Sequence, residues 1–310
     1  MTAVNLQEFL GFTGPEEGPG LDRAAKLRAD PAAQAALWAD PAARCIGFVA
    51  GDVLMAPEGT AADPVTGLGL WSVPTAGHAA VPRLFLGLIG AAPVFALDLP
   101  ETAAPAGAER ADLRWMLPRL CPRAAELAAT ARGLFVWHRF HGFCPACGTA
   151  TTIREAGWQR DCPGCGRVQF PRTDPVVIMR ITRADQVLLA RSPGWPEGLH
   201  SCPAGFMEPG ETPAAAVRRE VLEETGIRVG AVRFLVAQPW PFPASLMLGC
   251  AGEAGPGAIT LDPVEIEAAL WVGRTRLAAI LAGQDPDIRP PRPGTVARWM
   301  LHDWLARPAD

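Results

Sequence analysis

Glu220, Glu223 and Glu224 stand at spacings of three and four in a stretch with helical character. Such spacings put all three carboxylates on one helix face. Like charges so placed repel one another unless a cation lies among them. The pattern therefore points to hard divalent ions held by oxygen, and such ions commonly hold phosphates. The alternative is a solvated acidic face paired with Arg218 and Arg219. That alternative leaves unexplained the loop over 205–211, where Gly205 and Gly210 flank Glu208 and lead into Glu211.

A second cluster is made of sulfur. Cys144 and Cys147 form one Cys-x2-Cys pair, Cys162 and Cys165 another, with fourteen residues between them and a glycine (Gly148, Gly166) after each. Small residues let backbone amides turn toward thiolates, and four thiolates suit tetrahedral Zn2+. Four-cysteine sites are closed and structural, since no coordination position is left for chemistry. A segment so poor in aliphatic residues needs a metal to fold. A pair of redox dithiols is the competing reading.

A third signal is Gln238-Pro239-Trp240-Pro241-Phe242-Pro243-Ala244-Ser245. Prolines hold the chain extended and remove amide donors. A period of two then puts Gln238, Trp240 and Phe242 on one side. Rigid aromatics there suit stacking on a planar ring; an edge strand packing its aromatics into the core is the alternative.

These residues need elements to position them. Thr212 suits an N-cap, Pro213 the first helical position and Gly226 a left-handed stop, so a helix is expected over 212–225, with Ala214, Val217 and Val221 facing a sheet. Strands are expected over 176–181, 187–190, 232–238 and 246–251, and a last helix over 293–306. Earlier strands are expected over 45–53, 68–73, 84–89 and 94–97, helices over 24–38 and 124–141, and a polar loop over 101–107. The division is a strand-rich α/β domain (1–141), the cysteine segment (142–172) and a layered α/β domain (173–310). The first and last parts could be ancient duplicates of one another, although no countable repeat supports it.

Composition sets limits. Of 310 residues, 49% are hydrophobic and 19% charged, and the net charge of -4 gives no basic footprint for bulk nucleic acid. The apolar stretch 79–99 is broken by Pro82, Arg83 and Pro93, so it reads as two strands rather than a membrane span. Residues 1–12 carry no secretory signature. The remaining cysteines (Cys45, Cys121, Cys202, Cys250) are scattered, which fits a reducing cytoplasm. For His78, His138, His141, His200 and His302, surface or packing roles are expected rather than catalysis.

The run Gly205, Glu211, Arg219, Glu220, Val221, Glu223, Glu224, Gly226, Ile227 matches every defined position of the Nudix box, and the chain resembles the Nudix hydrolase family. The resemblance implies an α/β/α sandwich and metal-dependent hydrolysis of a nucleoside diphosphate linked to another group. It implies Mg2+ or Mn2+ held by Glu220, Glu224 and the Ala204 carbonyl, Glu223 as ligand or base, and Arg219 orienting the glutamates.

The stretch from Gln238 to Ser245 further resembles Nudix enzymes of the NADH pyrophosphatase type, with Ala237 where a serine is usual. That type also places a four-cysteine zinc ribbon directly before its Nudix domain. The likeness implies Phe170 (where tyrosine is usual), the 238–245 segment and Ala297 as substrate contacts, and Glu265 as an outlying metal ligand. Gly157 precedes Trp158 where some relatives have glutamate. The resemblance implies cleavage of NADH or NAD to nicotinamide mononucleotide and AMP, removal of NAD caps from RNA 5′ ends, and a homodimer. The alternatives are a broader Nudix hydrolase acting on ADP-ribose, diadenosine polyphosphates or oxidised nucleotides, and a non-catalytic dinucleotide- or RNA-binding regulator.

Overall fold

The computed structural model describes residues 20–75, 83–103, 105 and 107–307. The segment 1–12, His78, residues 79–82 of the apolar stretch, and residues 104 and 106 of the expected loop lie outside them. The chain divides into two compact units, 1–172 with 241–244, and 173–240 with 245–310.

In the first unit, seven strands form one sheet: β1 (Leu21–Asp22), β2 (Arg44–Val49), β3 (Asp52–Met55), β4 (Ser72–Pro74), β5 (Arg83–Ile89), β6 (Ala92–Leu99) and β7 (Glu109–Ala111). Helices α1 (Pro31–Ala39), α2 (Leu113–Met116) and α3 (Pro122–Phe140) accompany it. α3 presents Ala124, Leu127, Ala128, Ala131 and Leu134 to a core with Ile46, Phe48, Leu84, Leu86 and Val94. Three short strands, β8 (Thr152–Arg154), β9 (Gln159–Asp161) and β10 (Val168–Gln169), make the cysteine segment a separate antiparallel ribbon.

Three expectations for this unit change, one being the strand over 68–73, which shrinks to β4. The helix over 24–38 is cut, because Pro31 can only open a helix and Asp30 caps it by accepting from the amides of Ala32 and Ala33. The strand over 45–53 becomes a hairpin, because Ala50 and Gly51 adopt positive φ and turn the chain.

The second unit holds β11 (Asp174–Arg183), β12 (Gln186–Arg191), β13 (Ala204–Phe206), β14 (Val229–Trp240), β15 (Ser245–Ala254) and β16 (Ala268–Gly273), with α4 (Pro213–Thr225), α5 (Arg274–Leu281) and α6 (Val296–Ala306). β11 sets the layers by alternation. Its Val177, Met179 and Ile181 pack with Ala216, Val217 and Val221 of α4. From the next positions, Ile178 lines a cleft and Arg180 donates to the Met300 carbonyl of α6. The result is an α/β/α sandwich. Ala216 is the buried small residue of α4, whereas Ala214 is half-buried. β16 and α5 were absent from the sequence-based expectation. α6 starts at Val296 instead of Pro293, because Gly294 turns at φ 77° and Thr295 caps the helix.

Apart from β1, which pairs with β5, the two sheets share one topology. The first runs β5-β6-β2-β3-β7 with β4 on β2, and the second runs β14-β15-β11-β12-β16 with β13 on β11. In each, the central pair (β2 with β6, β11 with β15) is parallel and its neighbours are antiparallel. They differ where it matters chemically. α4, with its glutamates, lies between β13 and β14, where the first sheet has only residues 75–82 between β4 and β5.

Candidate active site

α4 is built as its sequence requires. Thr212 accepts from the Ala215 amide, Pro213 occupies the first turn, and Gly226 closes the helix at φ 68°. Valines 217 and 221 anchor one side, which brings Glu220 and Glu224 to the edge of the core, at 7% and 4% exposure.

Arg219 ties the loop to the helix. Its Nε and Nη2 donate to the two Glu211 oxygens at 2.7 and 2.8 Å, its Nη1 to Glu220 at 2.8 Å and Glu223 at 3.1 Å, and its Nη2 also to the Phe206 carbonyl at 2.9 Å. This planar fork serves three carboxylates at once. The Arg219 guanidinium and the Glu208 amide pull the Glu211 carboxyl down to about 2. Arg219 itself is raised, first by Glu211 and then by Glu220 and Glu223.

Glu220, Glu224 and Glu265 each bring one oxygen to within 4.8 Å of the others. Glu223 is not in that group; its side chain is 58% exposed beside Arg219. Glu265 comes from a loop strapped to the end of α4, where the Thr260 amide donates to the Thr225 carbonyl and the Asp262 amide to the Glu224 carbonyl. Burial, then the charges of Glu220, Glu265, Glu223 and Asp262, push the Glu224 carboxyl up to about 8. Burial also raises Glu220, against the pull of Arg219. Glu224 Oε2 is buried and makes no hydrogen bond. Three oxygen donors, one of them orphaned, fit a hard divalent cation, which would offset their mutual repulsion.

Beside this triad lies a cleft of about 310 Å3, lined by Ile178, Trp195, Ala204, Gln238, Trp240, Met247, Arg292 and Ala297 among others. Ala204 is the joint: it lines the cleft, and the next residue, Gly205, lies against the Glu220 carboxylate. Gln238 is buried with both ends of its amide engaged, donating to the Gly294 carbonyl at 2.7 Å and accepting from the Val296 amide at 2.9 Å. It shapes the cleft wall by fixing the start of α6. Trp195 and Met247 carried no signal in the sequence, although Trp195 does sit in the turn-rich run 193–196.

The expected period of two ends at Trp240. The strand gives way to a turn over 241–244, which is grouped with the first unit. There Phe242 packs against the apolar core, with the Arg114 and Arg132 guanidinium carbons each 4.8 Å from its ring centre. Arg132 Nε also donates to the Pro241 carbonyl at 3.0 Å. Pro239 and Pro243 are exposed, Pro241 and Ser245 buried, and Ala244 half-buried; Phe170, in the first unit, is 66% exposed.

In the ribbon, Cys144, Cys147, Cys162 and Cys165 converge, with Sγ–Sγ distances of 3.6 Å (144–165) and 3.4 Å (147–162). Thiolates around a tetrahedral zinc with bonds of about 2.3 Å stand about 3.8 Å apart, so the donor set fits that ion. The two knuckles are alike: Gly148 and Gly166 both adopt φ 72° and donate to the carbonyls of Cys144 and Cys162 at 2.9 Å. The Thr149 hydroxyl and amide draw the Cys147 thiol down to about 6. Arg160 locks the ribbon to α3, donating to Thr151 Oγ1 at 2.7 Å and to His138 Nδ1 at 3.0 Å. His200 bonds the Gly198 carbonyl and His141 the Trp137 carbonyl. No helix among the described residues is long and apolar enough to cross a membrane.

Comparison with known proteins identifies the domains. Residues 171–295 match the NUDIX domain, 139–170 the NADH pyrophosphatase zinc ribbon domain, and 42–137 the NADH pyrophosphatase-like rudimentary NUDIX domain. The last match accounts for the repeated topology. An NAD-capped RNA hydrolase of Homo sapiens is 41% identical over 200 residues, covering 61% of this chain and 43% of that protein. The NAD-capped RNA hydrolase NudC of Stutzerimonas stutzeri is 36% identical, covering 72% of this chain and 77% of that protein. That of Deinococcus radiodurans is 40% identical, covering 71% and 76%. The chain thus spans less than half the length of the human relative.

The chain belongs to the Nudix hydrolase family. Its rudimentary NUDIX segment and its ribbon place it in the NADH pyrophosphatase branch of that family.

Proposed function

We propose that this chain hydrolyses the diphosphate of NADH and NAD, giving nicotinamide mononucleotide and AMP, and removes NAD caps from RNA 5′ ends by the same cleavage. One observation carries the reading: a buried carboxylate triad with an orphaned oxygen adjoins a mostly apolar cleft, joined to it through Ala204 and Gly205. A triad alone would hold an ion; the cleft adds a place for a planar ring beside it.

Glu220, Glu224 and Glu265, with the Ala204 carbonyl, would hold Mg2+ or Mn2+. Bound there, the ion would neutralise the diphosphate and acidify water. Arg219 keeps Glu220 and Glu223 in place. Glu223, outside the triad, takes the proton from the attacking water. The water oxygen bonds to one phosphorus as that atom's bond to the bridging oxygen breaks, and the second phosphomonoester departs with the bridging oxygen. Trp240 and Ala297 receive the base or nicotinamide ring; Phe170 is a substrate contact on the family resemblance alone. Four thiolates in the ribbon hold a structural Zn2+. Free cysteines among the described residues support a reducing cytoplasmic setting. A homodimer, implied by the family resemblance, is part of the proposal and would elute at twice the chain's 32.8 kDa.

The test is product analysis with NADH, NAD, NAD-capped RNA and ADP-ribose side by side, with and without Mn2+. Nicotinamide mononucleotide from the first three substrates, released only with metal, is expected. Preferential cleavage of ADP-ribose would move the assignment to a broader pyrophosphatase. In the Glu223→Gln variant turnover is expected to vanish while nucleotide binding persists.

A further inference from the structure

A larger cleft, of about 590 Å3, opens elsewhere in the second unit, between β11, β14, β15 and the end of α6. It is not part of the triad or the ring cleft. Four guanidinium groups line it: Arg180, Arg233, Arg274 and Arg307.

The charges there do not balance locally. Arg274 is satisfied, pairing with Asp185 at 2.5 Å and donating to the Trp304 and Arg307 carbonyls that end α6. Two of the other three share one carboxylate. Arg180 reaches Asp303 at 2.7 Å, and Arg307 takes both oxygens of the same Asp303 at 2.8 and 3.0 Å. Arg233 is exposed and has no carboxylate partner among the described residues. Glu253 lines the cleft without an ion pair among those residues.

Arg180 is the most unusual member. It is only 2% exposed, and its Nε has no hydrogen-bond partner. Burial depresses its pKa, Asp303 opposes this, and the nearby Arg307 and Arg233 charges add to the depression. Even with Asp303 beside it, a buried guanidinium with an unmet N–H, crowded by two others, is an unfavourable arrangement that a further anion relieves. Planar forks of this kind match phosphate oxygens, and the volume lies within the range of ligand clefts, about 300–1,000 Å3.

We propose that this cleft is a second ligand site, which takes the phosphate group of a small phosphorylated molecule through Arg233, Arg307 and Arg180. Arg233 and Arg307 meet the phosphate at the mouth, and Arg180 supplies charge from the floor. Glu253 opposes binding and limits its strength.

The full-length protein, without added divalent ions, can be titrated with inorganic phosphate, AMP and a short 5′-phosphorylated oligonucleotide. Thermal shift and tryptophan fluorescence read the response, since Trp304 lines the cleft. Saturable binding is expected, weakened at least about tenfold in Arg233→Glu, which loses a charge-assisted contact and gains repulsion. Binding should be tighter in Glu253→Gln and unchanged in Trp240→Ala, which alters only the other cleft. Arg233 is exposed, so its variant folds, and NADH hydrolysis should be retained. A response to inorganic phosphate and AMP places the source among small molecules; a response only to the oligonucleotide, lost in Arg233→Glu, assigns the phosphates to an RNA chain and overturns the small-molecule assignment. No saturable response, or one that Arg233→Glu leaves intact, overturns the site altogether.

Discussion

A side chain on Gly205 would occupy the space of the Glu220 carboxylate: a Cβ built there meets the Glu220 Cδ and both its oxygens. The glycine that opens the box is therefore a demand of close approach, not of backbone conformation. Gly205→Ala is expected to fold, because Gly205 lies in the regular strand β13. It should push Glu220 out of the triad. Displacement of a reacting group by about an ångström costs on the order of 10²-fold in rate. Steady-state kinetics on NADH over a range of Mg2+ would show the loss; wild-type kcat in this variant would refute the role given to Glu220.

Gln238 and Val296 make the second prediction. Gln238→Ala removes a donor from the Gly294 carbonyl and an acceptor from the Val296 amide, at the cap of α6. A buried polar group left unpaired costs about 1–3 kcal/mol, so the melting temperature should fall and KM should rise as the cleft wall loosens. A direct ring contact by Gln238 would instead raise KM without lowering stability.

The ribbon gives a third. Cys147→Ser removes one of four thiolates in a segment that has its own small sheet and little apolar core. Metal analysis should find one zinc per chain in the wild type and a large loss in the variant, with the 142–172 segment becoming protease-sensitive. Full protection of a metal-free ribbon would contradict this.

His138 gives an acid-side prediction. Arg160 Nη1 can only donate, so His138 Nδ1 must accept, and Nε2–H donates to the Gly157 carbonyl at 2.9 Å. Burial is the main reason that its pKa falls to about 4. An unfolded imidazole titrates at about 6.5. Between those values the unfolded chain holds one more proton than the folded one, so stability falls as pH drops from about 6.5 to 4. In His138→Gln this component of the pH slope should disappear from urea denaturation curves; an unchanged slope would show that other groups set it.

The sequence was legible where function sits within short spacing. The knuckles, the box and the caps of α4 depend on neighbours a few residues apart, so pattern alone locates them. Glu265 is different. Its place depends on main-chain bonds from Thr260 and Asp262 to the end of α4, which no spacing encodes. Phe242 failed as a period-two neighbour of Trp240 because the chain turns after Trp240, and the pattern of alternate residues holds only within a strand. The shared strand order of the two sheets was invisible for a related reason. Strand pairing fixes which faces are buried, and many different apolar sequences satisfy the same pairing.

Metal and proton compete at Glu224. Without metal its carboxyl titrates at about 8, pushed there by burial and by Glu220 and Glu265, while an unfolded glutamate titrates at about 4.3. Between these values the folded chain holds the extra proton, so this group's contribution to metal-free stability declines as pH rises from about 4.3 to 8. A cation must displace that proton to bind. Mg2+ or Mn2+ affinity should therefore climb from pH 6 to about 8 and level off above, with close to one proton released per ion at pH 7. Titration calorimetry in buffers of different ionisation enthalpy reads the proton directly. In Glu224→Gln the release should vanish together with most of the affinity. Metal binding that is independent of pH over this range would mean that Glu224 is already ionised in the free protein, and that the triad is less crowded than its geometry implies.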